Sequence, residues 1–424
     1  MTKFLTSTAL ATILALPAMA EQTDISQTVD ALQEALNTID ISDDATNVSQ
    51  AGINAANIIS IDFGSLDDVD QFSENGMIQD AINDFETQGT VGNNAILTDV
   101  SQSGTNVLNS IDLTVDGAQG FDLNRLVQEI DNADQTATND IDILNGSSIG
   151  IDQGATNVMN MAAMDDMLED SALNDLQQQI DDSSQVAGNE FDIDLGVDDI
   201  SQNAVNVMNL AEVEDDLKGD SFQYVQDSTQ TATNEASDTT VGASINSLVQ
   251  SAVNIANSLD VGGATTDGGS LEFASIGQVY EGVSGGQLAD NYVQFSTGGV
   301  TGPAVDGDGE IIIDQSALNA INLATVTNVG WTISQSAVDV DQQSKNLAQG
   351  IGVGVNADLT NFDQSATNVG NILSAGALPD LVSMTEVTQT FAGDQLAQNG
   401  MFGADDLTSV TQAATNVINS VSGL

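Results

Sequence analysis

The stretch "IDQGATNVMN" (residues 151–160) decides the fold. Apolar residues lead into a Gln, a small residue and two Asn. Close variants are "VSQSGTNVLN" (100–109), "ISQNAVNVMN" (200–209), "FDQSATNVGN" (362–371) and "VTQAATNVIN" (410–419). The Gln recurs eight times, as Gln50, Gln102, Gln153, Gln202, Gln250, Gln315, Gln364 and Gln412. Four residues later stands Asn54, Asn106, Asn157, Asn206, Asn254, Asn319, Asn368 or Asn416, and three further on another Asn, from Asn57 to Asn419. A period this regular is the signature of a repeat architecture.

Two related blocks lie between these copies. One holds Gln33, Gln135, Gln185, Gln230, Gln287, Gln342 and Gln395; an eighth member, Gln88, fits only with one extra residue before Asn93. The other reads as a Gln between mostly apolar residues at offsets of two, with Gln27, Gln79, Gln128, Gln178, Gln223, Gln278, Gln335 and Gln389 at its centres. The repeats run approximately over 21–57, 75–109, 124–160, 174–209, 221–257, 274–322, 331–371 and 385–419. Variation collects in the connectors, and most in the Gly-rich stretch around 260–310, which predicts surface loop insertions.

Offsets of two put residues on one face of a β-strand. Ile149, Ile151, Gln153, Ala155 and Asn157 are expected to point one way, and Asp152, Gly154 and Thr156 the other. A buried primary amide has two donors and two lone pairs to satisfy. Identical residues about 4.8 Å above and below satisfy it, each amide donating one way and accepting the other. The predicted fold is therefore all-β: a β-solenoid of eight repeats of about 50 residues with stacked Gln and Asn ladders. The pattern leaves open one large coil or two small ones per repeat. The connector after Asn160, with Met161, Met164, Met167 and Leu168, also fits an amphipathic helix.

Composition narrows the function. Residues 1–20 read as a signal peptide: Lys3, an apolar run, then Ala-Met-Ala at 18–20. The remaining 21–424 is expected to be a single exported domain, secreted or held at the surface of a bacterium, without a membrane span. The chain carries 63 acids against four Lys and Arg, a net charge of −59, so nucleic acid and anionic membrane are excluded as partners. With no His, no Cys and one Arg, thiol chemistry and His-based catalysis and metal ligation are absent, and no enzyme is expected. "DGDGE", with Asp306, Asp308 and Glu310, has half the ligand spacing of a calcium loop. It is the candidate site for calcium or another divalent cation; no other cofactor is indicated.

The leader, the lack of Cys, and tandem units carrying spaced Gln, Gly or Ala, and Asn resemble the curlin repeats of bacterial curli fibres. The likeness covers residues 25–419. Curlin sets its Asn five residues after the Gln of Gln-x-Gly in a unit of about 22 residues; here Asn157 follows Gln153 by four and the period is near 50. The resemblance implies a functional-amyloid-like β-solenoid subunit for a biofilm matrix or surface appendage, with itself as partner and a nucleator or outer-membrane secretion factor to assist. The repeats reach from Ile25 to Asn419, which predicts head-to-tail polymerisation through uncapped ends. The alternative is a monomeric secreted β-solenoid that binds a surface, ice or glycan.

Overall fold

A computed structural model describes residues 23–42, 44–61, 66–74, 76–88, 95–114, 122–144, 146–165, 172–193, 196–213, 216–217, 219–238, 247–261, 275–282, 286–296, 312–326, 332–351, 358–375, 386–402 and 406–422. All the regular structure among them is β-strand. The expected leader and the acidic trio Asp306, Asp308 and Glu310 lie outside the described residues.

The first coil contains β1 (Thr23–Val29), β2 (Leu32–Ile41) and β3 (Ala45–Ile61). The second contains β4 (Leu66–Ser73), β5 (Ile78–Gln88) and β6 (Ala95–Thr114). β1 pairs in parallel with β4, β2 with β5 and β3 with β6. This step of three repeats along the chain and builds three parallel sheets, each with eight strands in its path. Each repeat is therefore one large coil, and the chain is a β-solenoid of eight. A short extra strand, Asp216–Leu217, extends the first sheet beside Ala172–Asp181.

The third strand of each coil is long because it bends rather than ends. Asn57, Asn109, Asn160, Asn209, Asn257, Asn322, Asn371 and Asn419 all sit at φ between 52° and 56°. L-residues rarely visit this left-handed region, and Asn does so at the least cost because its short amide bonds locally. A second bend lies near the start of the same strand, at Asn47, Asp99, Gly150, Asp199, Asn361 and Ser409. A third lies between the first and second strands, at Asn132, Asp182, Asp227 and Asp339. The recurring Asn seven residues after each Gln of the Gln50-to-Gln412 series is thus a corner as well as a ladder member.

These corners correct the simple alternation. Gly150, at φ 72°, turns the chain between Ile149 and Ile151, so Ile151 is buried while Ile149 is 47% exposed rather than sharing the Gln153 face. Helix is also not found where Met161 and Met164 made it an alternative: both lie in the strand Gly146–Asp165, and Met167 and Leu168 lie outside the described residues. Within the Gly-rich region around 260–310 the repeat strands expected about Gln278 and Gln287 are present, as Ser275–Glu281 and Gly286–Ser296, in register with their neighbours.

Inside the coil the second strand faces the first part of the third across a thin layer of Ala. Ala137, Ala187, Ala232 and Ala289 meet Ala155, Ala204, Ala252 and Ala317. The sheets approach so closely that a Cβ on Gly104, in the same row as Ala155, would lie 2.9 Å from the Ala81 carbonyl oxygen. Larger side chains fill the coil on either side. Leu97, Val100, Ile141, Ile151, Phe191 and Phe362 form one column, and Ile111, Leu113, Leu123, Leu126, Leu173 and Leu176 another. Removing such surface from water is worth roughly 25 cal/mol per Å².

Candidate functional site

The chemistry-bearing feature is the set of buried amides. In the third sheet Gln50, Gln102, Gln153, Gln202, Gln250, Gln315, Gln364 and Gln412 stand in register, as do Asn54 through Asn416. Gln202 Nε2 donates to Gln153 Oε1 at 2.9 Å, and Gln250 Nε2 donates to Gln202 Oε1 at 2.8 Å. The other N–H of Gln202 goes to the Glu235 carbonyl on the facing second sheet at 2.9 Å. Asn206 Nδ2 likewise donates to Asn254 Oδ1 at 2.9 Å and to the Thr231 carbonyl at 2.8 Å. The N–H pairs of Gln202 and Asn206 thus serve one neighbour along the stack and one backbone across the core; at Asn319 the Ser344 hydroxyl takes the place of that backbone group. This double duty fixes which end of each amide is nitrogen, since an oxygen turned toward those carbonyls would face oxygen.

The first and second sheets carry ladders of the same kind. One correction applies in the second coil. Gln79, expected in the first-sheet row, stands in the second-sheet row between Gln33 and Gln135, and the first-sheet position belongs to Gln71, between Gln27 and Gln128. Gln88 ends the strand Ile78–Gln88, beyond the amide row. Asn83, not Asn93, joins the second-sheet Asn row, which runs through Asn37, Asn139, Asn189, Asn234, Asn291, Asn346 and Asn399. That row and the corner Asn row were visible in the sequence as repeated letters but had no assigned role.

The six ladders run in two opposed directions, set by residue type. All three Gln ladders donate toward the N-terminal end, as in Gln128 to Gln71, Gln185 to Gln135 and Gln364 to Gln315. All three Asn ladders donate toward the C-terminal end, as in Asn139 to Asn189, Asn206 to Asn254 and Asn209 to Asn257. The first described coil therefore turns Gln N–H groups and Asn oxygens outward along the axis. The last turns Gln oxygens and Asn N–H groups outward, and Gln395 Oε1 is buried there without a partner.

The end coils are also stepped. In the first coil Gln50 and Asn54 of the third strand are buried, while Gln27, Gln33 and Asn37 of the first two strands are part-exposed. In the last coil the third strand is the uncovered one, with Gln412, Ala414 and Asn416 exposed. Core-row residues stand open beside them: Val410 at 40%, Ile418 at 49% and Val421 at 39% exposure. A half-step thus protrudes on the third strand at one end and on the first two strands at the other.

Electrostatics differ between the outer faces. On the second sheet Asp84, Asp140, Glu190 and Glu235 stand side by side in consecutive coils, next to a row through Glu86, Asp142 and Asp192. Partial burial, then Glu190 and Asp84, push the Asp140 carboxyl up to about 6, and burial followed by Glu190 raises Glu235. Arg125 donates to Asp70 at 3.0 Å on the neighbouring coil. Among the described residues no group of three or more acidic side chains is arranged to hold a metal ion, and no helix is long and apolar enough to cross a membrane. Comparison of the chain with protein-family models, curated proteins and solved structures gave no match.

Proposed function

We propose that this chain is the structural subunit of a self-assembling extracellular filament, functional-amyloid-like, that grows head to tail. The observation that carries the reading is the match between the two end coils. Oxygens of Gln389, Gln395 and Gln412 at one end meet the amide N–H groups of Gln27, Gln33 and Gln50 at the other. N–H groups of Asn399, Asn416 and Asn419 meet the oxygens of Asn37, Asn54 and Asn57. The half-steps are complementary, and Val410 and Ile418 find the rows that bury their counterparts in every inner coil. A heterologous contact of this kind does not close, so it propagates as a fibre. Parallel stacking also supplies partners for backbone N–H and C=O groups on the end strands.

A curlin-like identity, passage out of a bacterium through a secretion factor, and a place in a biofilm matrix or surface appendage belong to the same proposal. They rest on the repeat letters and the leader-like residues 1–20. Divalent cations enter as counterions that screen the acidic faces of adjoining subunits.

The reading is tested at the C-terminal end face. Val410→Asp with Ile418→Asp places charge where the next subunit would dock, on positions already exposed. Purified double variant should remain a folded, soluble monomer by circular dichroism and sedimentation while the unmodified chain forms fibres. Fibres from both at equal rates would refute end-to-end docking.

A further inference from the structure

The outer face of the third sheet is unlike the rest of this acidic surface. Its central outward row runs through Thr105, Thr156, Val205, Val253, Leu318 and Thr367, in register along the sheet. The row on one side, from Ala51 to Ala413, holds only Ala, Ser, Gly and Asn. The row on the other, from Ala55 to Val417, holds only Ala, Val and Ile. Beyond the Asn corner a fourth row, from Ile58 to Ser420, is Ile, Ser, Met and Leu. Four rows eight coils long thus contain no Asp, Glu, Lys or Arg, in a chain with 63 acids. The flanking row, with Asp152, Asp314 and Asp363, returns to the acidic norm.

Nothing in the interior demands this neutrality. These side chains point away from the ladders, and the equivalent outward rows of the second sheet carry the Asp84 and Glu86 series. We infer that the third-sheet face is a lateral interface on which a second copy of this chain packs, sheet against sheet, so that filaments associate in pairs. The inference builds on the filament reading but concerns a different surface.

Charge selects the occupant. Two copies of a chain at −59 repel wherever their acidic faces meet, and this is the broad face on which they approach without opposed carboxylates. A cationic partner would choose the second sheet instead. Geometry fits as well. Eight strands at about 4.8 Å make a stripe about 38 Å long, and five residues, four steps of about 3.3 Å, make the flat part about 13 Å wide, so sheets about 10 Å apart would interdigitate over it. That is about 500 Å² per copy, near the lower limit for a lone dimer. In a filament the same contact repeats with every subunit, and weak contacts in series become strong ones.

The test is the triple variant Thr156→Asp, Val205→Asp, Val253→Asp, with Thr156→Ser, Val205→Thr, Val253→Thr as an uncharged control. Filaments are assembled from full-length mature protein and imaged by electron microscopy, with circular dichroism to confirm that each variant is folded. Paired filaments are expected from the unmodified chain and the control, and single filaments of unchanged axial repeat from the Asp variant. Single filaments from the unmodified chain, or pairs from the Asp variant, overturn the inference while leaving end-to-end growth intact. If the unmodified chain forms no filaments, the filament reading fails. The stripe is then read by sedimentation, where side-by-side dimers lost in the Asp variant support it and monomers throughout refute it. A stripe that instead adsorbs ice or glycan as a monomer, with no self-pairing, also overturns it.

Discussion

Neighbouring positions on the same strands obey opposite rules. In the third sheet the inward row is Gln in every coil. One residue earlier the outward row reads Ser49, Ser101, Asp152, Ser201, Val249, Asp314, Asp363 and Thr411. The inward row is uniform because a buried amide is satisfied only by a copy of itself one coil away. The outward row meets water, which accepts any side chain that suits a strand. Uniformity therefore marks dependence between coils, and variety marks independence.

The sharpest way to break this contrast is Gln202→Leu. It removes the donor to Gln153 Oε1, the acceptor of Gln250 Nε2 and the donor to the Glu235 carbonyl. At about 1–3 kcal/mol for each buried group left unpaired, the loss should reach about 3 kcal/mol or more. Asp152→Asn, on the outward row, should stay within about 0.5 kcal/mol. Denaturant unfolding of the two variants compares them directly, and equal midpoints would remove the inward-ladder account.

The corner row should respond next. Asn209→Ala loses the ladder bonds and forces a Cβ residue to φ 54°. Asn209→Gly loses only the bonds. The Ala variant should be less stable than the Gly variant by about 1–2 kcal/mol; the reverse order in thermal melting would mean that the corner is not held left-handed.

An inward position that breaks its row's rule should improve when restored. Ser221 occupies the apolar row between Leu176 and Ile276, and its Oγ is buried with no partner. Ser221→Val should stabilise the fold by about 1 kcal/mol through apolar burial and loss of the orphaned hydroxyl. A lower melting temperature would mean that the site has no room for the added methyl groups.

The smallest effect belongs to the acidic face. Asp140 is raised from 3.8 to about 6 by burial and its acidic neighbours. The folded chain therefore binds a proton that the unfolded chain releases, and stability rises as pH falls from about 6 toward 4. Asp140→Asn should give a modest gain at pH 7 that vanishes near pH 4. A gain independent of pH, followed by urea titration at several pH values, would assign it to something other than ionisation.

The ladder rows were legible because their offsets from Gln to Asn never vary, whatever the connectors do. The second coil was misread because its rows are disguised: Gln71 is followed at offset two by Ser73, a polar residue where neighbouring coils place Ile130 and Ile180, whereas Gln79 has Met77 and Ala81 about it. The corner between the two strands also varies in length, with eight residues from Gln71 to Gln79 against seven from Gln128 to Gln135. Period-two reasoning failed at Ile149 because a single left-handed residue, Gly150, reverses the side that follows. Ladder polarity and the neutral third-sheet stripe were not legible at all. The first depends on which backbone carbonyl faces each amide, and the second appears only once residues about 50 apart are brought side by side.

The most direct test of the central claim, continuous ladders running from one subunit into the next, is the axial periodicity of the assembled protein. Fibre diffraction and electron microscopy of the purified chain in moderate salt should give a meridional reflection near 4.8 Å and a subunit repeat of about 38 Å, eight coils stacked without a gap. Discrete particles at high concentration, or a subunit repeat clearly longer than eight coil spacings, would contradict it.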